Sequence, residues 1–286
     1  MKSSYVLKPN DFLYNIDEHF PKLEKNKKVG IFLSGGIESS LISLIALSIY
    51  GKNNLTFFFS DNIFSSNDSI KNSYIHTNIK KAAKILDITP TYLNFNYDSH
   101  ITDRKKSIET KIKNLEIDYN IQFVMFGLTK LFFEVEIFKQ DNITIEKIRD
   151  IAYSEPLKFK STIEEFHLDT NEYTWELMNI DIPANVYQLL RDSSSFIKNP
   201  FNVLNKCEVI DLYRQLNFLD ILFETSSCIT KSLTEVKKHC GNCFNCQNRH
   251  DAFKILGIIE DRTKYLSDNV IKRRLKLEEI QNVIHT

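Results

Sequence analysis

The sequence predicts an α/β protein. A parallel sheet with helices on both faces is followed by a C-terminal helical part carrying a four-cysteine knuckle. Three observations predict it. Short, continuously apolar runs alternate with longer segments of helical period. The runs stop at small or polar residues (Ser34-Gly35-Gly36, Ser60-Asp61, Gly127), and ligands of such sheets sit at those strand ends. Cys228, Cys240, Cys243 and Cys246 crowd one short stretch.

The elements follow in order. Residues 1–27 are mixed and polar, and the patch Phe12, Leu13, Ile16, Phe20 suggests an N-terminal helix with a lead-in. Residues 29–33 are a buried strand ending in a tight turn. Residues 38–50 suit a mostly buried helix, with Leu41, Ile42, Leu44, Ile45, Leu47 and Ile49 apolar. A second strand is expected at 55–59, a helix at 68–87, a third strand at 91–95, a charged helix at 101–118 and a fourth strand at 121–126. Continuously apolar strands indicate a sheet covered on both sides. Helices are expected near 143–153 and 183–191, then at 207–216, 247–256 and 269–283. Residues 228–246 read as a polar loop. The domain expectation is an extension over 1–27, a nucleotide-binding α/β domain over 28–198 with a divergent part at 130–198, and a helical, metal-binding region over 199–286.

Composition narrows the function classes. Hydrophobic residues make 42% of the chain and charged residues 26%, so the chain can bury a core and is not disordered. Lys+Arg and Asp+Glu both number 37, which advertises neither a nucleic-acid nor a membrane partner. Only 7 glycines and 6 prolines exclude collagen-like and Gly/Ser-linker architectures. The most apolar stretch, 41–50, is far shorter than the ~20 residues of a membrane helix. The N-terminus has no apolar signal-peptide core. A cytoplasmic location is expected, and there five cysteines favour metal or catalysis over disulfides.

The turn Ser34-Gly35-Gly36-Ile37-Glu38-Ser39-Ser40 joins a buried strand to a helix. A helix N-terminus exposes unpaired N–H groups and the positive end of its dipole. Glycines let that backbone approach an oxyanion, and serine hydroxyls add donors. The turn therefore predicts a phosphate cradle. It is not a Walker A loop, because no Gly-Lys-Ser/Thr follows. The plain alternative is a strand-to-helix turn with Ser34 as the helix cap.

The cysteines form C-x11-C-x2-C-x2-C. Four thiolates suit tetrahedral Zn²⁺, and Gly241 fits the sharp turn of a knuckle. A closed four-ligand site is structural. An iron–sulfur cluster is the alternative, although the x3-Cys-Pro continuation is missing. Cys207 is expected to be an ordinary buried thiol. His239 and His250 are expected at the surface.

Ser34-Gly35-Gly36-Ile37-Glu38-Ser39 resembles the SGGxDS signature of the PP-loop ATP pyrophosphatases, whose fold is HUP-like. Glu38 stands where that superfamily has Asp. The resemblance implies that ATP, with Mg²⁺, is held by Leu33, Ser34, Gly35, Gly36, Ile37, Glu38, Ser39 and Ser40, with Ser60 and Gly127 at neighbouring strand ends. The C-terminal stretch also carries a resemblance. It runs Asn199-Pro200-Phe201, Asn205-Lys206, Glu208-Val209-Ile210, Thr225-Ser226-Ser227-Cys228, Cys240-Gly241-Asn242-Cys243-Phe244-Asn245-Cys246 and Arg249, with Phe253 after it. It is similar to the 7-cyano-7-deazaguanine synthase (QueC-like) family.

That family's reaction adenylates the carboxylate of 7-carboxy-7-deazaguanine. Ammonia then displaces AMP, and a further activation and dehydration give the nitrile. Lys206 matches the family's lysine, and contact with a phosphate or acyl oxygen is implied; Glu38 and Lys206 are the expected catalytic residues. The competing expectation for Lys206 is a surface lysine near a helix N-terminus. Arg249 is expected to pack on the knuckle or to face the nucleotide.

The chain lacks the family's Tyr-Pro-Asp-Cys segment near the deazaguanine and has Gly127-Leu128-Thr129-Lys130-Leu131-Phe132-Phe133 instead. The expected partners are therefore ATP and a 7-deazaguanine-type acid. A second expectation is a relative, as in antiviral defence clusters, that passes the activated acid to another amine such as a protein N-terminus. A third is an inactive zinc knuckle that docks a protein or nucleic acid, although balanced charge argues against nucleic acid. Iron–sulfur tRNA thiolation is a fourth. Family members often form homodimers.

Overall fold

The computed structural model of the chain describes residues 1–7, 11–60, 69–93, 101–129, 195–228, 239, 241, 244–259 and 265. The helices expected near 143–153, 183–191 and 269–283 lie outside the described residues, as do Cys240 and Cys243.

The chain opens with a hairpin, not the helix expected from the Phe12–Phe20 patch. Strand β1 (Ser4–Leu7) pairs antiparallel with β2 (Phe12–Asn15), and only Ile16–His19 is helical (α1). The apolar residues alternate: Leu7 and Tyr14 are buried, whereas Val6 and Leu13 are exposed. A period of two sends alternate side chains to opposite faces of a ribbon. The Tyr14 hydroxyl donates to Pro200 O at 2.8 Å and Gln215 Nε2 donates to Val6 O at 2.7 Å, so the hairpin docks on the C-terminal part.

A five-stranded parallel sheet follows, formed by β3 (Lys28–Phe32), β4 (Leu55–Phe59), β5 (Thr91–Tyr92), β6 (Ile121–Met125) and β7 (Ile197–Lys198). The order across the sheet is β5-β4-β3-β6-β7, with every neighbouring pair parallel. The third strand is shorter than expected in its described part. The fifth, only two residues long, has no period for a sequence pattern to reveal.

Both faces are covered, as the apolar runs demanded. Val29, Ile31, Phe57, Phe123 and Met125 pack with α2 (Ile37–Tyr50) in the larger core. Phe32, Phe58 and Val124 face the other way and pack with Ile112 and Leu115 of α4 (Ile101–Asp118). Helix α3 (Ser69–Ile85) lies on the α2 side, where Ile79 and Ala82 meet Leu33, with Leu44 and Leu47 beside them.

The C-terminal helices α5 (Lys206–Gln215) and α6 (Leu219–Glu224) extend the larger core through Val209, Ile210, Leu212 and Leu222; α7 (Phe244–Ile255) adds Ala252 and Phe253. Burying one such aliphatic side chain contributes about 1.5–3 kcal/mol. No helix among the described residues is long and apolar enough to cross a membrane.

The strand order reverses direction between β3 and β6. The chain leaves β3 toward β4 on one side, whereas β6 and β7 lie on the other. Loops at such a reversal diverge and open a crevice at the carboxyl ends of the strands. The glycine turn sits there.

Candidate nucleotide-binding site

The loop is shaped first by its own backbone. Leu33 continues the ladder beyond β3, its N–H donating to Phe58 O at 2.7 Å. Gly35 then takes φ +75°, a left-handed conformation that costs glycine no steric penalty. A Cβ on Gly35 would sit 2.8 Å from the Asn78 backbone of α3. On the opposite side, a Cβ on Gly127 would fall 2.7 Å from Glu38 Cβ and from Ser39 N. The loop after β6 thus packs directly on the first turn of α2, and only glycine fits.

Serine hydroxyls organise the inside of the turn. Gly36 N and Ser39 Oγ both contact Ser34 Oγ, at 3.2 and 2.9 Å, and Ser34 N donates to Ser39 Oγ at 3.1 Å. Ser34 does not cap α2. The cap position is Gly36, which has no side chain to satisfy the first N–H groups, leaving them for an anion. Ser40 Oγ is buried and has no hydrogen-bond partner among the described residues, and neither has Ser227 Oγ. Such groups cost about 1–3 kcal/mol each unless a ligand or water satisfies them. Ile37 is buried in the core, and Ser60 is half-buried at the end of β4.

Lys206 is not a surface lysine. Asn205 caps α5 with a reciprocal box: its side chain accepts from Glu208 N at 2.9 Å, and Glu208 Oε2 accepts from Asn205 N at 2.8 Å. The box fixes Lys206 at the first helical position and aims it across the crevice. Its Nζ donates to Glu38 Oε1, with 8% and 14% of the two side chains exposed. The pairing cancels a carboxylate that would otherwise repel phosphate from the loop. Burial, and then the Arg249 guanidinium, push the Lys206 amine down to about 7. The Glu38 carboxylate pulls the other way, and an arriving phosphate would pull further. A second tie joins the same helices, since the buried Tyr213 hydroxyl donates to Ile37 O at 2.7 Å.

The C-terminal residues brace the loop from behind. Ser226 N donates to Gly35 O at 3.0 Å. Arg249 is fully buried, close enough to Lys206 for its charge to act on that amine. It donates to Thr225 Oγ1 and Leu222 O, both at 3.1 Å, and lies 5.2 Å from the Phe253 ring centroid. A guanidinium with that many acceptors can stay charged inside a protein.

Of the four cysteines, Cys228 and Cys246 are described, and both are buried. Cys246 is on α7 rather than in a loop, because the helix already begins at Phe244. Gly241, expected at a sharp turn between Cys240 and Cys243, takes φ +76°, a left-handed conformation. Soft thiol donors and a left-handed knuckle glycine fit a thiolate-bound metal. No group of three or more metal-ligating side chains occurs among the described residues.

His239 is buried, contrary to the surface position expected, with Nδ1 3.7 Å from Cys246 Sγ. His250 is partly buried and sets its ring edge-on to Tyr265. Cys207 is the buried thiol expected, 4.0 Å from Ala252 O. Sequence reasoning missed Tyr213 and the bracing role of Thr225 and Ser226. It could have found the Asn205–Glu208 box, whose N-x-x-E spacing is legible.

The family model of queuosine biosynthesis protein QueC matches residues 28–257. The chain belongs to the QueC family. The family implies a PP-loop synthase that uses ATP, and the match spans the glycine turn, Lys206 and the four cysteines. No curated protein matches the chain. Among solved structures, it is similar to the U34-tRNA thiolase NcsA from Methanococcus maripaludis, solved with its 4Fe–4S cluster. The identity is 13% and the TM-score 0.39, over 85% of this chain and 77% of that one.

Proposed function

We propose that this QueC-family protein activates the carboxylate of 7-carboxy-7-deazaguanine with ATP and passes it to ammonia, toward 7-cyano-7-deazaguanine. The observation that supports this most is Lys206, buried on Glu38 at the mouth of the glycine turn.

The turn would hold the nucleotide phosphates on the N–H groups at the start of α2. The substrate carboxylate oxygen attacks the α-phosphorus, the α–β P–O bond breaks, and pyrophosphate leaves with its electron pair. Ammonia then attacks the acyl carbon, AMP leaves with the C–O electrons, and a proton is released. The amide oxygen then attacks the α-phosphorus of a second ATP, releasing pyrophosphate, and loss of AMP and both amide protons gives the nitrile.

Lys206 would bind the α-phosphate or acyl oxygen, where a cation would stabilise the charge that develops in the transition state. Magnesium, arriving on the nucleotide, supplies charge neutralisation at pyrophosphate, and Glu38 is the carboxylate on the loop that could hold it. Cys228, Cys240, Cys243 and Cys246 would hold zinc, which fixes the C-terminal fold and takes no part in bond making.

A second reading is favoured by Glu38 in the Asp position and by the absent Tyr-Pro-Asp-Cys segment: the activated acid goes to another amine, such as a protein N-terminus. Purified protein, ATP, Mg²⁺ and the acid, with and without ammonium, test both. AMP, pyrophosphate and a nitrile by mass spectrometry support the first reading. AMP and pyrophosphate without nitrile move the acceptor to another amine. No acid-dependent AMP release would reject both.

A further inference from the structure

We propose that Arg249 is a positioning residue that ties the cysteine cluster to the glycine turn, so that metal and nucleotide reinforce each other's binding. The proposal rests on the reading that the cluster holds a metal and the turn holds ATP.

Residues 225–228 form a strap between the two sites. In its middle, Ser226 N donates to Gly35 O at 3.0 Å, and Ser226 O lies 3.4 Å from where a Cβ on Gly36 would be. At its end is the buried thiol of Cys228. At its start is Thr225, whose Oγ1 donates to Leu222 O at 2.6 Å and accepts from Arg249 Nη1 at 3.1 Å. Arg249 also reaches Thr225 O, at 3.4 Å, and Leu222 O, at 3.1 Å, which already accepts from Thr225 N at the end of α6.

Arg249 and Cys246 are three residues apart on α7, hence on neighbouring positions of one helix face. The strap and α7 are therefore joined by Arg249 at one end. A metal shared by Cys228 and Cys246 would join them at the other. With both joints made, the frame is closed, and the Gly35 carbonyl hangs from a fixed point. With the metal joint open, the strap is held to α7 less firmly, and so is the contact of Ser226 with the loop. Such coupling is reciprocal by thermodynamic necessity: if metal tightens ATP binding, ATP tightens metal binding by the same factor.

The test is the equilibrium partition of metal between the purified full-length protein and a chromophoric chelator, with and without ATP and Mg²⁺. It is run on wild type, Arg249→Lys and Thr225→Val. Gly127→Val, whose loop is blocked, reports any chelation by ATP itself. ATP is expected to raise metal affinity at least about fivefold in wild type, the lower end of ordinary coupling. Arg249→Lys is expected to lose that gain. Thr225→Val removes one acceptor without a buried charge change. It decides the matter if Arg249→Lys fails to fold, with less than half of the wild-type gain expected.

An equal gain in metal affinity in wild type and both variants would overturn the role of Arg249. Absence of a gain in wild type that binds ATP by calorimetry would overturn the coupling and leave the ATP reading intact. Protein that binds no ATP, or is isolated without metal, would remove that reading and the proposal together.

Discussion

The turn at 33–40 takes its shape from its own backbone, whereas the strap at 225–228 takes its shape from side chains that reach it from α7. A left-handed Gly35, a close-packed Gly127 and a ring of serine hydrogen bonds make the first. A buried guanidinium makes the second. Local geometry needs few residues and leaves a sequence signature. A brace built from a buried charge needs partners far along the chain and leaves almost none.

The contrast can be broken most severely at the turn. Gly35→Val places a branched side chain at φ +75° against the Asn78 backbone and should abolish ATP-dependent AMP release. Retained release above about 1% of wild type would mean the turn is not the nucleotide site. Lys206→Met should come next, with turnover down about 100-fold or more and a stability loss of about 3–5 kcal/mol, because it strands the Glu38 carboxylate. Adding Glu38→Gln should recover much of that stability, though not turnover; a double variant no more stable than Lys206→Met would show that the pair is not coupled.

The same lysine sharpens the comparison through pH. Its amine is pushed from 10.5 to about 7 in the folded chain. Between those values the unfolded chain binds a proton the folded one has released, so stability from this group rises with pH through that window. Denaturation midpoints at pH 7 and pH 9.5 should show a rise in wild type relative to Lys206→Met. A parallel pH response of the two would sink the assignment.

Tyr213→Phe should cost about 1 kcal/mol in urea melts, the worth of one buried hydrogen bond to Ile37 O. Lys81→Ala should change stability by less than about 1 kcal/mol, since its pair with Glu224 is half-exposed. A larger loss there would make α3 a brace of the strap rather than a cover.

The sheet was largely legible because buried parallel strands are apolar on both sides and end in small residues. The helix α2, the strand β4 and the helix α5 begin and end within a residue of expectation. The N-terminal hairpin was not, since Phe12, Leu13, Ile16 and Phe20 also fit a helical spacing, and only burial separates Tyr14 from Leu13. In the site, the glycine turn could be read from its residues. The depth of Lys206 could not, because nothing near position 206 reports a carboxylate 168 residues earlier. Arg249 was noticed, but its partners Thr225 and Leu222 belong to a different helix end.

The strand β7 pairs directly with β6, in parallel register from Val124↔Ile197, although some seventy residues separate them in sequence. Closing a connection costs only about 0.6 kcal/mol more for each doubling of its length. The sheet is thus nearly indifferent to what is spliced in at that point. Natural variation or a designed graft can exchange the intervening segment while the strands, the turn and Lys206 stay in place. The junction is a socket: what the sheet requires there is only that the chain return to set Ile197 beside Val124.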